Sequence, residues 1–268
     1  MKSRRQFLAT AAAASLATRA WGKSTYSAYP YTEFEARVAR RDFRGMTKDV
    51  LPTPCMVVDL AMFERNVSTM AATAKSNGIN VRPHVKIHKS VDVARYQIGQ
   101  GAIGLTCATI AEAELMSGAG IQNVLWTKQP ASANNIARAV ALSKKDPTFM
   151  FVVDDPVVVD WVEEAADAAK TKLKIAASVN ASMDRQGIEA GEPALKLAQK
   201  ISSSPHIEFQ GFMAYSGNAA HTHGWEARRT RSANDLAGVR ETIGLARKAG
   251  LPVKIALPST RICAMIAS

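Results

Sequence analysis

A basic segment, residues 82–90, contains the side chains of this sequence that are best suited to chemistry. It reads Arg-Pro-His-Val-Lys-Ile-His-Lys-Ser, and the apolar residues Ile79 and Val81 precede it, as at the end of a short strand. Because an unpaired buried cation is costly, such a segment is poor material for a hydrophobic core. A lysine in a partly dry pocket can instead lose its proton and act as an amine nucleophile. The residues alone equally allow a basic strand end on a solvated face.

This segment resembles the cofactor-lysine segment of the D-threonine aldolase and D-serine dehydratase family, which is related to the N-terminal domain of alanine racemase. The family's segment reads Arg-Pro-His-x-Lys-x-His-Lys, and all six defined positions are present here. The resemblance implies a pyridoxal 5'-phosphate (PLP) enzyme in which Lys86 forms a Schiff base with the cofactor. Lys89 matches the motif without that role. The implied activity is that of a lyase, either an aldolase or a dehydratase, acting on small β-hydroxy D-amino acids.

Strand geometry suggests roles for the neighbours of Lys86. Alternation places Arg82, His84, Lys86 and His88 on one side of the segment and the intervening Val and Ile on the other. We therefore expect His84 to act in catalysis with Lys86 by setting its charge environment and orientation. Arg82 and His88 are candidates for substrate binding, although a histidine facing outward at the start of a loop is an equal alternative for His88.

Residues 180–187 resemble a second motif of the family, Asp-x-Gly-x-x-Arg-x-Gly. Asn180 and Ser182 stand in place of its Asp and its first Gly. The resemblance implies that Arg185 faces the cofactor or the substrate carboxylate, which the forked guanidinium group suits. A surface Arg185 paired with a neighbouring carboxylate is the alternative.

Residues 211–218 resemble a third motif of the family, Gly-x-x-x-Tyr-x-Gly-His, although Asn218 departs from the usual His. The resemblance implies that Tyr215 binds the cofactor. His221 and His223 follow closely. Each is either a proton carrier or a loop histidine at a polar turn.

The last residues depart most from the family. After the final strand the family has a Gly-rich turn whose backbone N–H groups would bind the cofactor phosphate. Here Ser259 and Thr260 are the remaining candidates for that task, and Pro258 removes one donor. The full-length family continues into a β-rich domain that holds a divalent metal and completes a dimer. We expect that domain and its metal ligands to be missing, as in a truncated or frameshifted chain. Because the domain helps to form the family's dimer, a homodimer is one possible assembly of this chain.

The elements that must position these residues alternate regularly from residue 51 onward. Short apolar runs, each followed by an amphipathic stretch, predict eight strands: Cys55–Asp59, Ile79–His84, Ile103–Cys107, Val124–Thr127, Phe149–Val153, Ile175–Val179, Ile207–Tyr215 and Val253–Leu257. This order predicts an α/β fold with a parallel sheet, and the even repeat favours a (β/α)8 TIM-type barrel. The candidate residues follow strand ends, where barrel enzymes carry their active sites. Gly-x-Gly-x-x-Gly is absent after the first strand, which argues against a dinucleotide-binding domain.

Composition limits the classes of function further. The chain has 268 residues, of which 47% are hydrophobic and 21% charged, as in a globular domain. The net charge of +11 suits an anionic cofactor and substrate, and no basic run with interleaved aromatics predicts nucleic-acid binding. Three widely spaced cysteines form neither a disulfide framework nor a zinc pattern. The apolar neighbours of Cys55 and Cys107 predict buried free thiols.

The N-terminus predicts export. Residues 1–22 combine a charged start, a short Ala-rich apolar run and the segment Ser-Arg-Arg-Gln-Phe-Leu at residues 3–8, which resembles a twin-arginine signal. This reading makes the twin-arginine translocase a partner and the periplasm the destination. An ordinary basic N-terminus is the alternative. A lead-in segment, residues 23–50, precedes the barrel at 51–268.

The residues leave two other functions open and argue against a third. The chain is a catalytically impaired or inactive PLP-binding barrel if the altered phosphate turn prevents catalysis. It is a racemase-like enzyme if a second base lies opposite Lys86. A hydrolase that relies on metal alone is disfavoured, because no paired-His spacing falls at a strand end.

Overall fold

The computed structural model describes residues 31–259, which belong to two compact units divided after Asp59. In the first unit, helix α1 spans Tyr31–Ala39 and a 3₁₀ turn spans Lys48–Val50. The predicted export signal and Thr260 lie outside the described residues, so export to the periplasm and the role of Thr260 stay predictions.

The second unit alternates strands and helices. Its helices are α2 (Leu60–Ser76), α3 (Val91–Gly99), α4 (Ile110–Gly118), α5 (Ala133–Lys145), α6 (Pro156–Ala168), α7 (Glu192–Ser203), α8 (Gly217–Ala220), α9 (Trp225–Asp235) and α10 (Ala237–Lys248). Its strands are β1 (Leu105–Cys107), β2 (Val124–Trp126), β3 (Met150–Val153), β4 (Leu173–Val179), β5 (Ile207–Tyr215) and β6 (Ile255–Ser259). None of the helices within residues 31–259 has the length and apolarity needed to cross a bilayer.

These six strands form one parallel sheet in the order of the sequence, which confirms the predicted α/β class. The apolar runs form strands because both faces of the sheet are covered. Phe151 and Val153 of β3 belong to the main hydrophobic core with the helices. Met150 and Val152 belong to a smaller cluster, as the period of two requires. The carboxyl ends of all six strands therefore meet at one edge of the sheet.

The first two predicted strands are not formed in the described residues. Residues 79–84 contribute a single bridge, between His84 and Thr106. Residues 55–59 have no regular structure, and Met56 and Val57 are exposed by 76% and 68%. Cys55 is exposed as well, so the prediction that it is buried was wrong. An apolar run becomes a strand only where a neighbouring strand pairs with its backbone. The closure of the sheet into an eight-stranded barrel therefore stays a prediction.

A β-bulge in β5 shapes the approach to Tyr215. The register moves from Ile175 opposite Phe209 to Ala176 opposite Gly211, which leaves Gln210 as an extra residue. Gly211 has a φ of +128°, and a Cβ atom there would collide with the carbonyl oxygen of Ile255 on β6. The bulge thus depends on a residue without a side chain.

Candidate functional site

The predicted cofactor lysine lies on a tight turn. Val85–Ile87 form one turn of 3₁₀ helix, and His84 caps it, because its Nδ1 accepts a hydrogen bond from the Lys86 backbone N at 3.3 Å. Val85 is fully buried and anchors the turn, whereas the Lys86 side chain is exposed. This arrangement fixes the backbone of Lys86 and leaves its side chain accessible.

The pKa values of both histidines of the motif are lowered. Burial lowers the pKa of His84 to about 4, and the positive charge of Lys86 adds to this effect. Burial likewise lowers the pKa of His88, whose Nδ1 accepts a hydrogen bond from the Ser90 backbone N at 3.0 Å. Neutral His84 holds the turn in place by accepting the hydrogen bond from the Lys86 backbone N. The catalytic role of His84 and the substrate-binding role of His88 stay predictions.

A buried carboxylate secures the other end of the motif. Glu112, on the first turn of α4, pairs with Lys89 and accepts a hydrogen bond from the Ala108 backbone N at 2.8 Å. Burial would raise the pKa of Glu112, but Lys89 and the backbone donors outweigh it and hold that pKa below its usual value. Thr109 Oγ1 accepts a hydrogen bond from the Glu112 N at 3.2 Å and so caps the start of α4. The role of Glu112 as an anchor for the lysine segment was not predicted.

Tyr215 brings the predicted cofactor residues together. It is the last residue of β5, and its ring centroid lies 5.9 Å from Nζ of Lys86. Cζ of Arg185 lies 5.2 Å from the same centroid. Cations at such distances interact favourably with the face of an aromatic ring. Lys86 and Arg185, from two separate motifs, therefore both lie over the ring of Tyr215, which belongs to the third motif.

The loop that carries Arg185 is shaped by Asn180. Asn180 Oδ1 accepts hydrogen bonds from the backbone N of Met183 and of Asp184, both at 3.2 Å. Its Nδ2 donates to Asp184 at 2.8 Å and to Glu189 at 3.1 Å. An Asp at position 180 would have no N–H to donate to these carboxylates. Asn180 therefore suits this loop better than the Asp of the family motif. Asp184 and Glu189 accept hydrogen bonds from Asn180 and form no ion pair with Arg185 among the described residues.

Asn180→Asp is expected to destabilise this loop. It removes two donors and places a third carboxylate beside Asp184 and Glu189, at a partly exposed site. We expect the free energy of unfolding, measured with urea, to fall by about 1 kcal/mol at pH 7.

The double variant Asn180→Asp with Asp184→Asn serves as the control. An amide at 184 can donate to the new carboxylate, so we expect most of the lost stability to return. Equal unfolding midpoints for the wild-type protein and Asn180→Asp would contradict this assignment.

Neighbouring loops hold the Arg185 loop in place. Gln186 Nε2 donates to the Thr127 carbonyl at 3.2 Å, just after β2, and the Gly187 N donates to Asp154 at 2.7 Å, just after β3. Lys128 follows Thr127. Burial lowers the pKa of Lys128, and the charges of Arg185 and Lys86 lower it further, against the opposing effect of Asp154. Lys128 belongs to none of the three sequence motifs.

Three other predicted residues, Arg82, His221 and His223, do not contact the Tyr215 ring in any interaction that the structure shows. The Arg82 guanidinium donates to the Asn123 carbonyl, which precedes β2 and therefore lies at the amino end of that strand. Arg82 is thus directed away from the carboxyl edge that carries Tyr215, and its substrate-binding role stays a prediction. His221 and His223 are exposed loop residues. Ser259 ends β6, and its phosphate-binding role also stays a prediction.

The arrangement fits a PLP site. An exposed lysine and an arginine contact one aromatic ring. Ser178 Oγ, which is buried in a recess that Tyr215 also lines, has no hydrogen-bond partner among residues 31–259. A buried polar atom of this kind calls for a ligand or water. Gln186 Oε1, in the same recess, likewise has no partner in the described part of the chain. Within residues 31–259, no three His, Cys, Asp or Glu side chains gather as metal ligands.

Comparisons with known proteins agree with this geometry. The chain is 32% identical over 208 residues to a 3-hydroxy-D-aspartate aldolase of Paracoccus denitrificans, an alignment that covers 77% of this chain and 54% of that protein. The crystal structure of D-threonine aldolase from Filomicrobium marinum superposes with a TM-score of 0.76 and 31% identity, over 79% of this chain and 57% of that one.

A dehydratase has the same fold. D-threo-3-hydroxyaspartate dehydratase from Delftia sp. HT23 superposes with a TM-score of 0.73 and 25% identity, over 81% of this chain and 57% of that one. The chain thus spans about half the length of these relatives. The alanine racemase N-terminal domain, described as a sequence family, matches residues 58–259. The predicted resemblance is confirmed, and the chain belongs to the alanine racemase N-terminal domain family.

Proposed function

We propose that this chain is a PLP-dependent lyase that cleaves or dehydrates β-hydroxy D-amino acids. One observation carries the proposal: Lys86 and Arg185 lie 5.9 Å and 5.2 Å from the centroid of the same Tyr215 ring. A reactive amine, an aromatic face and a guanidinium are the groups that a pyridine cofactor and an amino acid carboxylate require. The aldolase and dehydratase relatives support this reaction class.

Each residue has a distinct task in this proposal. Lys86 would hold the cofactor through its amine, and its Nζ would also serve to move a proton. Tyr215 packs against the cofactor, and Arg185 binds a carboxylate. Neutral His84 holds the turn that carries Lys86 by accepting a hydrogen bond from its backbone N. When bound, PLP withdraws electrons from the substrate Cα, which weakens the bonds at that atom.

We also propose that the strands complete the predicted eight-stranded barrel. The support is that residues 79–84 already pair with the start of the sheet. The Thr106 N donates to the Pro83 carbonyl at 2.8 Å, and the Ile103 N donates to the Val81 carbonyl at 3.0 Å. A segment that forms these parallel contacts needs little rearrangement to become a full strand.

The proposal is tested by an absorbance spectrum of the purified chain with PLP, before and after borohydride, followed by peptide mapping. We expect a visible-wavelength band and a reduced adduct on Lys86. Product assays with D-threonine, D-serine and 3-hydroxy-D-aspartate, with and without divalent cations, then separate aldolase from dehydratase. An adduct without any product would mean a PLP-binding domain without catalysis. No adduct would refute the cofactor assignment.

A further inference from the structure

A buried carboxylate is bound to the residue that follows β5. Asp235, the last residue of α9, is 8% exposed, and Ser216, the residue after Tyr215, is fully buried. The Ser216 hydroxyl donates a hydrogen bond to Asp235 Oδ2 at 2.6 Å. Because the backbone of Ser216 continues directly from Tyr215, this bond ties the end of β5 to α9.

An arginine balances the charge of this carboxylate. Arg231, one helical turn earlier in α9, donates from Nε to Asp235 Oδ1 at 2.8 Å. Each carboxylate oxygen thus has a donor of its own, as a buried charge requires. Loss of one partner from such a group is costly, because the other partner stays buried without its hydrogen bond. The position of Ser216 relative to α9 is therefore strongly fixed.

The next two residues of the chain contact the loop at residues 180–187. The Gly217 N donates to Sδ of Met183 at 3.0 Å, and Nδ2 of Asn218 donates to the Ser182 carbonyl at 3.1 Å. The loop that carries the arginine of the site is thus bonded to the segment that carries its tyrosine.

The contact at Gly217 is close on two sides. A Cβ atom there would lie 2.6 Å from Sδ of Met183 and 2.7 Å from Cε1 of Tyr215. These two side chains also line one recess together with Arg185. Because the backbone of Gly217 lies against both, a displacement of that backbone would move the tyrosine ring and the arginine loop at the same time.

We propose that Asp235 is a positioning residue of the cofactor site. By binding Ser216, it holds the Tyr215 ring and the loop at residues 180–187 in the mutual arrangement that the cofactor requires. Such preorganisation strengthens ligand binding, because the groups that touch the ligand are already in place. The inference rests on the proposed function, since it concerns the same site.

The test compares two serines that each donate to a buried aspartate. Ser216→Ala removes the bond to Asp235, and Ser117→Ala removes the bond from Ser117 Oγ to Asp146 Oδ2 at 3.0 Å. Asp146 is likewise 8% exposed, but it precedes β3 and therefore lies at the amino edge of the sheet. We expect similar decreases in the urea-unfolding midpoint for the two variants, and a difference between them at the site.

Two measurements report on the site. Hydrogen exchange of the cofactor-free protein, followed by mass spectrometry, should be faster at residues 180–187 in Ser216→Ala and unchanged there in Ser117→Ala. Titration with PLP, followed by the visible absorbance and circular dichroism of the bound cofactor, should give an affinity about tenfold lower for Ser216→Ala, as the loss of one buried hydrogen bond would cause. Ser117→Ala should keep the wild-type affinity.

A third variant separates the hydrogen bond from the charge. In Asp235→Asn the amide oxygen can still accept from Ser216, whereas the ion pair with Arg231 is lost. We expect a lower unfolding midpoint and a PLP affinity close to that of the wild-type protein. A loss of PLP affinity as large as that of Ser216→Ala would contradict an action of Asp235 through Ser216.

Two results with Ser216→Ala overturn the inference. One is unchanged hydrogen exchange at residues 180–187. The other is wild-type affinity for PLP despite faster exchange, which would make the bond to Asp235 a purely structural tie. A wild-type protein that binds no PLP would refute the proposed function instead, and the exchange measurement alone would then decide whether Asp235 holds the loop.

Discussion

Lys86→Ala is expected to lower kcat by at least about a thousandfold and to eliminate the borohydride-trapped adduct. No nearby group can replace the amine. Lys89 is bound to Glu112 at the start of α4, and Lys128 is held after β2. Because Lys86 is exposed on its turn, the substitution leaves the hydrophobic core intact, and we expect an unchanged unfolding midpoint for the cofactor-free protein.

Lys144→Ala is the matched control, an exposed lysine in the last turn of α5. It is expected to keep full activity and the adduct on Lys86. The measurement combines steady-state product formation with mass-spectrometric mapping after reduction. An adduct that persisted at another lysine in Lys86→Ala, together with residual turnover above a few per cent, would show that the nucleophile was wrongly assigned.

Gly211→Ala is expected to cost at least about 3 kcal/mol of the free energy of unfolding. Its backbone φ of +128° is unfavourable for any L side chain, and the added Cβ would meet the Ile255 carbonyl oxygen in the neighbouring strand. To relieve this contact, β5 and β6 must separate or the bulge must be lost. Either change also shifts Tyr215, so weaker PLP binding should accompany the loss of stability.

A second glycine provides the control for this substitution. Gly244 lies inside α10 with nothing within 4 Å of an added Cβ. Gly244→Ala should therefore be neutral or stabilise the protein by up to about 1 kcal/mol, as expected from helix propensity. Urea unfolding followed by circular dichroism measures both variants. If the two substitutions had the same effect, the structural role of the bulge would be refuted.

The sheet was predictable where the strands are buried on both sides. Residues 207–215 were predicted and found with the same bounds, and the prediction for residues 149–153 differs by one residue. Continuous apolar runs bounded by turns are a strong local signal. Residues 55–59 have the same kind of run, yet they form no strand in the described residues, because pairing depends on a neighbour that the local sequence does not reveal.

The candidate site was predictable where whole motifs were present. Lys86, Arg185 and Tyr215 were identified from three separate segments, and the structure brings them to one ring. Asn180 was noted only as a departure from a motif, because its role depends on carboxylates four and nine residues away. Lys128 gave no signal, since a single lysine after a strand is common and its position beside Arg185 exists only in the folded chain.

The carboxyl edge of the sheet has a consequence for how such enzymes diverge. The side chains of the site come from different places along the chain: the turn before β1, the segments after β2 and β4, and the last residue of β5. The strands behind them are held by the core and do not depend on which residues these connections carry. Substitutions within residues 180–187 can therefore change what binds beside Arg185, while the buried strands and the turn that carries Lys86 stay the same.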